Sequence, residues 1–170
     1  MLVRSATAAD ASAVMSLLNA LLATTTIEWT EVLHTPEGIL GWMDGHETIL
    51  VAEEQGEMAA VAAYGWFRDA VSRPGYRFTV EHSIHVRQDR WGSGIGRELM
   101  GALIEQARHS GKHVMIAAID SANERSIRFH RRLGFVEVAR MPEVGTKFDQ
   151  WLELVLLQLR LDDRSAPSDR

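Results

Sequence analysis

Apolar residues recur along this chain with two periods, and the points where one gives way to the other mark its elements. Leu2 to Ser5 reads as a short strand. Thr7-Ala8-Ala9-Asp10 places an acid three residues after a threonine, a start similar to a capping box. Val14, Leu17, Leu18, Leu21 and Leu22 then repeat at helical spacing, which predicts a helix to about Leu22. Thr24 to Gly45 is irregular, with a short helix predicted around Pro36 to Met43 and the proline in its first turn. Thr48 to Glu53 and Met58 to Phe67 read as strands joined by a hairpin turn at Glu54-Gln55-Gly56-Glu57. After a polar loop from Arg68 to Gly75, Tyr76 to Val86 reads as one long strand. Ile95, Leu99, Met100, Leu103, Ile104 and Ala107 form the apolar face of a helix that stops near Gly111. His113 to Ile119 is almost wholly apolar, as expected of a central strand covered on both faces. Ser121-Ala122-Asn123-Glu124 caps another helix ending at Gly134, and Phe135 to Arg140 and Trp151 to Leu159 are the last strands.

The order predicts a mixed α/β domain: strands in hairpins first, then strand–helix–strand–helix–strand. The chain has 170 residues, enough for one domain with a real core. With neither repeat nor linker, residues 1–161 are expected to form that domain, and the polar stretch 162–170 a disordered tail. Hydrophobic residues make up 46% and charged residues 24%, as in ordinary globular proteins. A formal net charge of −5 argues against a general nucleic-acid surface. The absence of cysteine excludes disulfides, thiolate metal sites and a cysteine nucleophile. The histidines show no ligand spacing, so no metal is expected. The first residues lack the apolar stretch of a signal peptide and no run approaches membrane-spanning length, so a cytoplasmic enzyme is expected.

Gly92, Gly94 and Gly96 stand at alternate positions where the strand ending at Val86 hands over to a helix. Backbone N–H groups converge on an anion at such a junction, and the helix dipole favours negative charge. Glycine keeps side chains out of the way. Arg87, Arg90 and Arg97 bracket the loop, so a phosphorylated ligand is expected. A Walker loop would need a Lys and a Ser/Thr after its second glycine, and nothing here fits. A dinucleotide fingerprint gains its first half from Gly92 and Gly94, but Arg97 fills its third position, and Asp120 only weakly imitates its ribose-binding acid. The plainest alternative is a tight turn that lets helix and strand pack closely.

The run Arg90 to Gly96, followed by Asn123-x-x-Ser126-x-x-x-His130-x-x-x-Gly134-Phe135, resembles the GNAT acetyltransferase superfamily. That resemblance implies a loop cradling the pyrophosphate of acetyl-CoA, two splayed central strands, and a mixed sheet of about six to seven strands with about four flanking helices. The usual loop is Gln/Arg-x-x-Gly-x-Gly/Ala. Gly94 and Gly96 match it, whereas Trp91 stands at the Gln/Arg position and Arg90 one residue early. A closer resemblance spans Val3 to Leu161. Tyr76 to Val86, Gly111 to Met115, Ser126 to His130 and Met141 to Phe148 are similar to phosphinothricin and methionine sulfoximine acetyltransferases, nearest the bacterial sulfoximine/sulfone detoxifying branch. It implies acetyl-CoA as co-substrate, a small amino-acid-like acceptor and a homodimer.

The implied cofactor site comprises Ile84, His85, Val86, Arg90, Trp91, Gly92, Ser93, Gly94, Ile95, Gly96, Arg97, Asn123, Ser126 and His130. Ile84 and Val86 end the central strand, where freed backbone groups can pair with the pantetheine arm or bind an oxyanion. Asn123 and His130, seven residues apart, fall on one helix face roughly 10 Å apart at ~1.5 Å per residue. His130 can protonate the departing thiolate or hydrogen-bond the thioester sulfur; a solvent-facing histidine is the alternative. Glu81 is the candidate base, since an attacking amine must lose a proton. Alternation puts Thr79, Glu81, Ser83 and His85 on one strand face and Phe78, Val80, His82, Ile84 and Val86 on the other. His82 is read equally as a core histidine or a substrate contact. An amino-acid carboxylate calls for a guanidinium, so Arg73 and Arg77, flanking Gly75, are candidates, with exposed loop charges as the alternative. Gly75, Glu81, His82 and Ser83 complete the candidate substrate site. Ile27, Trp29, Trp66 and Phe67 can wall it, although core packing explains most of them. Lys147, Phe148 and Trp151 resemble a segment near the family's subunit interface, and Trp151 to Leu157 is an apolar strand that as an edge would need cover. The expected reaction is direct acetyl transfer to the α-amine of an amino-acid analogue. Another small amine, a peptide N-terminus, or a catalytically silent CoA-binding module are the alternatives.

Overall fold

The computed structural model describes residues 1–70 and 72–167. In chain order its elements are β1 (Leu2–Ser5), α1 (Ala11–Leu22), α2 (Pro36–Asp44), β2 (Thr48–Glu54), β3 (Glu57–Trp66), β4 (Thr79–Val86), α3 (Ile95–His109), β5 (Val114–Asp120), α4 (Glu124–Arg132), β6 (Val136–Lys147) and β7 (Gln150–Arg160). The local chemistry expected at the ends is present. Thr7 N donates to the Asp10 carboxylate at 2.7 Å, and the Thr35 hydroxyl accepts from Gly38 N at 3.1 Å. Gln55 and Gly56 take the positive φ values of a two-residue hairpin turn.

The strands form one seven-stranded sheet in the order β1-β2-β3-β4-β5-β7-β6. Among the described residues only β4 and β5 pair in parallel; the other neighbours are antiparallel. Helix α3 lays Leu99, Met100 and Leu103 on the face carrying Val80, Met115 and Leu157. Helices α1 and α2 cover the opposite face, where Val14, Leu18 and Ile39 meet Val51 and Val61. Each such fully buried aliphatic side chain contributes about 1.5–3 kcal/mol.

One feature of the pairing positions the site. The parallel ladder between β4 and β5 stops at His82↔Ala117. Past that point β4 stays paired with β3 as far as Val86↔Ala60, and β5 with β7 as far as Asp120↔Leu154. Two inner strands therefore diverge in the middle of the sheet, and the stretch Ser83 to Val86 has no strand partner on that side.

The structure departs from the sequence expectations in three places. Strand β4 begins at Thr79 and not at Tyr76, because Pro74–Tyr76 winds into a 3-10 turn closed by Arg77 N to Pro74 O at 3.2 Å. Strand β6 runs on past Arg140 through a register shift between Met141 and Gly145, a continuation masked by Pro142 and the glycine. Strand β7 is not an edge: it is inserted between β5 and β6, and the edge belongs to β6. Of the segment expected as a tail, Asp162 accepts from His113 Nδ1 at 2.7 Å and Arg164 donates to Gly111 O at 2.8 Å; residues 168–170 lie outside the described residues.

Candidate active site

The glycine loop sits between the end of β4 and the start of α3. Gly92 and Gly94 have φ of +86° and +96°, values that a side chain would strain. Gly94 is the N-cap of α3 and supplies no side-chain cap; Arg97 N donates to Gly94 O at 3.0 Å, and the N–H groups of Ile95 and Gly96 are the ones the helix start presents. Gly96 serves packing: a Cβ there would meet Val86 Cγ2 at 3.4 Å. Ile95 is buried beneath the loop, while Arg97 and Ser93 are exposed, the Ser93 hydroxyl donating to Arg90 O at 2.7 Å. Arg90 is turned away to Glu54 at 2.8 Å, and Trp91 donates its indole N–H to Val86 O at 2.8 Å.

Helix α4 faces the opening between β4 and β5. Asn123 is its N-cap, outside the helix proper, and its side-chain oxygen accepts from Ser126 N at 3.1 Å. The expected helix-face pairing of Asn123 with His130 is thus a cap followed by a helix residue. His130 does not face solvent. It is buried against His82 at 5.0 Å between ring centroids, and against Phe135 at 5.2 Å. Its Nδ1 donates to Ser126 O at 2.8 Å, which fixes the tautomer and leaves Nε2 with its lone pair. That Nε2 and both ring nitrogens of His82 are buried without partners in the protein. Burial pushes the pKa of His130 down and that of His82 well down, so both rings are neutral.

The other face of β4 carries Thr79, Glu81, Ser83 and His85, as alternation predicts; the register with β3 is continuous, with no bulge to reset it. Glu81 is open to solvent, yet surrounding protein raises its carboxyl pKa. Gly65 is its partner across the ladder, and His46 packs where a Gly65 side chain would stand, its Cδ2 3.4 Å from that Cβ position. His85 is buried on this face and not at the glycine loop; its Nε2 lies 3.9 Å from Glu28, whose other oxygen bonds His34 Nε2 at 2.8 Å. Burial lowers the His85 pKa to about 4. The Ser83 hydroxyl is buried here without a partner.

The segment 22–29 forms a roof over this face. Lys147, buried, donates from Nζ to the carbonyls of Leu22, Thr25 and Glu28 at 2.8, 2.7 and 2.8 Å. Thr26 donates to the carboxylate of Asp120, which also accepts from Ala122 N at 3.1 Å, so Asp120 holds the roof and turns the chain. Trp29 lies on Gly145. Glu28, His34 and the role of Lys147 were not legible in the sequence, since the stretch that holds them has no periodicity.

Arg73, Gly75 and Arg77 lie exposed ahead of β4, at the end of the strand remote from the opening. Arg77 stacks on Phe78 at 4.3 Å and donates to Pro74 O at 3.3 Å. Trp66 carries Lys112 over its ring at 4.1 Å, and Phe67 packs edge-on against Tyr76. A cavity of about 600 Å³ beside Phe78, Gly111 and Arg164 holds none of the candidate site residues. Among the described residues no three of His, Cys, Asp or Glu cluster as a metal site would require.

A glycine loop at a helix start, a cleft between two diverging strands and a carboxylate on the strand that leads into the cleft form the frame of the site. The chain belongs to the GNAT acetyltransferase family, whose profile matches residues 14–135. It is 40% identical over 171 aligned residues, 98% of each chain, to the L-amino acid N-acyltransferase MnaT of Escherichia coli. It is 42% identical to the L-methionine sulfoximine/L-methionine sulfone acetyltransferase of Pseudomonas aeruginosa, covering 97% of this chain and 98% of that one. The structure of yncA from Salmonella typhimurium with its cofactor acetyl-CoA superposes with a TM-score of 0.91 at 40% identity, over 98% of this chain and 97% of that one.

Proposed function

We propose that this protein transfers acetyl from acetyl-CoA to the α-amine of a small amino-acid analogue of the methionine sulfoximine, methionine sulfone or phosphinothricin kind, with both substrates bound together. The observation that carries this reading is Glu81. It is a water-accessible carboxylate of raised pKa on the roofed face of β4, two residues before the strand leaves β5. Relatives named for sulfoximine, sulfone and phosphinothricin acetylation support the choice of acceptor.

The residues present fit acetyl-CoA: the loop has two glycines at positive φ and a helix start without a side-chain cap, and His130 Nε2 is a buried polar atom without a partner. Gly92 to Arg97 would hold its phosphates, and the stretch Ser83 to Val86 that no strand covers, with Asn123 and Ser126, its arm. When bound, it supplies an acetyl group already activated as a thioester. Glu81 takes the proton that an α-ammonium must lose before its nitrogen can attack, directly or through water. Backbone N–H groups freed where β4 leaves β5 stabilise the negative charge that grows on the carbonyl oxygen. With Nδ1 committed to Ser126 O, Nε2 of His130 holds a lone pair, so it can take the second proton that the nitrogen sheds as it is acylated and pass it to the departing sulfur.

We further infer a cytoplasmic homodimer that inactivates toxic amino-acid analogues. Edge strand β6 leaves Val136, Val138 and Val144 exposed, with Trp151 beside them on β7, a surface that a second copy would cover. Among the described residues no helix is long and apolar enough to cross a membrane. Glu81→Gln tests the central role: acetyl-CoA binding should persist while kcat falls by about 10²–10⁴. A wild-type rate would remove Glu81 as the base.

A further inference from the structure

Two of the three arginines that bracket the glycine loop are already occupied. Arg87 pairs with Asp89 at 2.7 Å and Glu57 at 3.0 Å, and Arg90 with Glu54 at 2.8 Å. Trp91 brings no charge, and its indole N–H is held by Val86 O. Across the loop, however, Arg125 from the first turn of α4 lays its guanidinium over the Trp91 ring, 4.8 Å from the centroid. Its Nη2 lies 3.8 Å from where a Cβ on Gly92 would stand, so the charge is at the loop itself although it comes from another element. Neighbouring Glu124 is taken by Arg128 at 2.8 Å, and among the described residues no carboxylate lies within ion-pair distance of Arg125. A guanidinium resting on an indole face is held by the ring quadrupole and keeps its N–H fork available, and that fork matches phosphate oxygens two at a time.

We propose that Arg125, seated on Trp91, is a phosphate-binding residue for acetyl-CoA, with the indole acting as its platform. The assignment rests on the acyl-donor reading above. It gives Trp91 a role at a loop position where an aromatic ring has no phosphate chemistry of its own. It also distinguishes Arg125 from Arg128 and Arg131, whose side chains pair with Glu124 and Glu137.

Calorimetric titration with acetyl-CoA, acetyl-dephospho-CoA and acetyl-pantetheine tests it. Arg125→Ala is expected to weaken acetyl-CoA binding about tenfold and to leave acetyl-pantetheine, which lacks the diphosphate and 3′-phosphate, unchanged. Trp91→Ala should weaken acetyl-CoA in the same sense, with little added by combining the two. Trp91→Arg placed in the Arg125→Ala background should restore binding. An equal loss for acetyl-dephospho-CoA assigns the contact to the diphosphate; a loss confined to acetyl-CoA assigns it to the 3′-phosphate. Arg125 is exposed on a helix, so Arg125→Ala should fold as the parent does. Unchanged acetyl-CoA affinity in Arg125→Ala, or an equal loss for acetyl-pantetheine, would overturn the assignment alone. A wild-type protein that binds no acetyl-CoA would overturn the acyl-donor reading and this assignment with it.

Discussion

Gly145 and Trp29 share one space: a Cβ on Gly145 would overlap the indole of Trp29. The strand β6 and the roof segment are therefore fitted to each other by the lack of a side chain. Gly145→Ala must push Trp29 away, at a cost of about 1–3 kcal/mol, readable in urea unfolding. Because the roof covers the Glu81 face and not the glycine loop, the acceptor KM should rise while acetyl-CoA binding stays as in the parent.

Lys147 holds the same roof from beneath. Lys147→Met removes the donor to three carbonyls at once and strands them where water enters poorly. A loss of about 2–4 kcal/mol is expected, with a lower melting temperature. Burial already lowers the pKa of this ammonium, against the pull of Glu28 and Glu31. Preserved stability in Lys147→Met would show that the roof does not depend on it.

The pH profile of kcat/KM should report Glu81. A base works when deprotonated, and partial desolvation by the surrounding protein raises this carboxyl above the ordinary 4.5. Activity should therefore fall on acidification at a pH above that of an ordinary glutamate, and the limb should vanish in Glu81→Gln.

Three buried histidines make the fold acid-sensitive. His82, His85 and His130 are kept neutral by desolvation, His85 down to about 4 from 6.5. The unfolded chain binds protons on these rings as pH falls below 6.5, whereas the folded chain does not until lower pH. Protons thus favour unfolding, and stability should decline between pH 6.5 and about 4. Thermal melts across this window should show it, with a shallower slope in His85→Phe. The Arg4 guanidinium holds the Asp10 carboxylate well below its usual range. Its contribution is present above the ordinary carboxylate value and is lost as pH drops below it, which steepens the loss at the acid end.

Much of this was legible in the sequence because it is periodic or punctuated. The apolar stripe from Ile95 to Ala107 announces α3, and the alternation in β4 places Glu81 with Ser83 and opposite His82. Glycine spacing locates the loop because only positive φ and close approach demand it at Gly92, Gly94 and Gly96. What escaped was set by contacts between distant segments. Arg125 looks like one more solvated helix arginine until Trp91 is seen beneath it. Glu28 and Lys147 lie 119 residues apart and meet only through the fold. The place of β7 inside the sheet escaped for a similar reason: an apolar strand next in sequence to β6 can lie on either side of it, and only the pairing with β5 decides.

The most direct test of the proposed activity is thiol release from acetyl-CoA by the purified protein. The acceptors are methionine sulfoximine, methionine sulfone, phosphinothricin, ordinary amino acids and short peptides. Turnover concentrated on the sulfoximine, the sulfone or phosphinothricin is expected. Turnover only with peptides or unrelated amines would contradict the assignment of an amino-acid analogue as the acceptor.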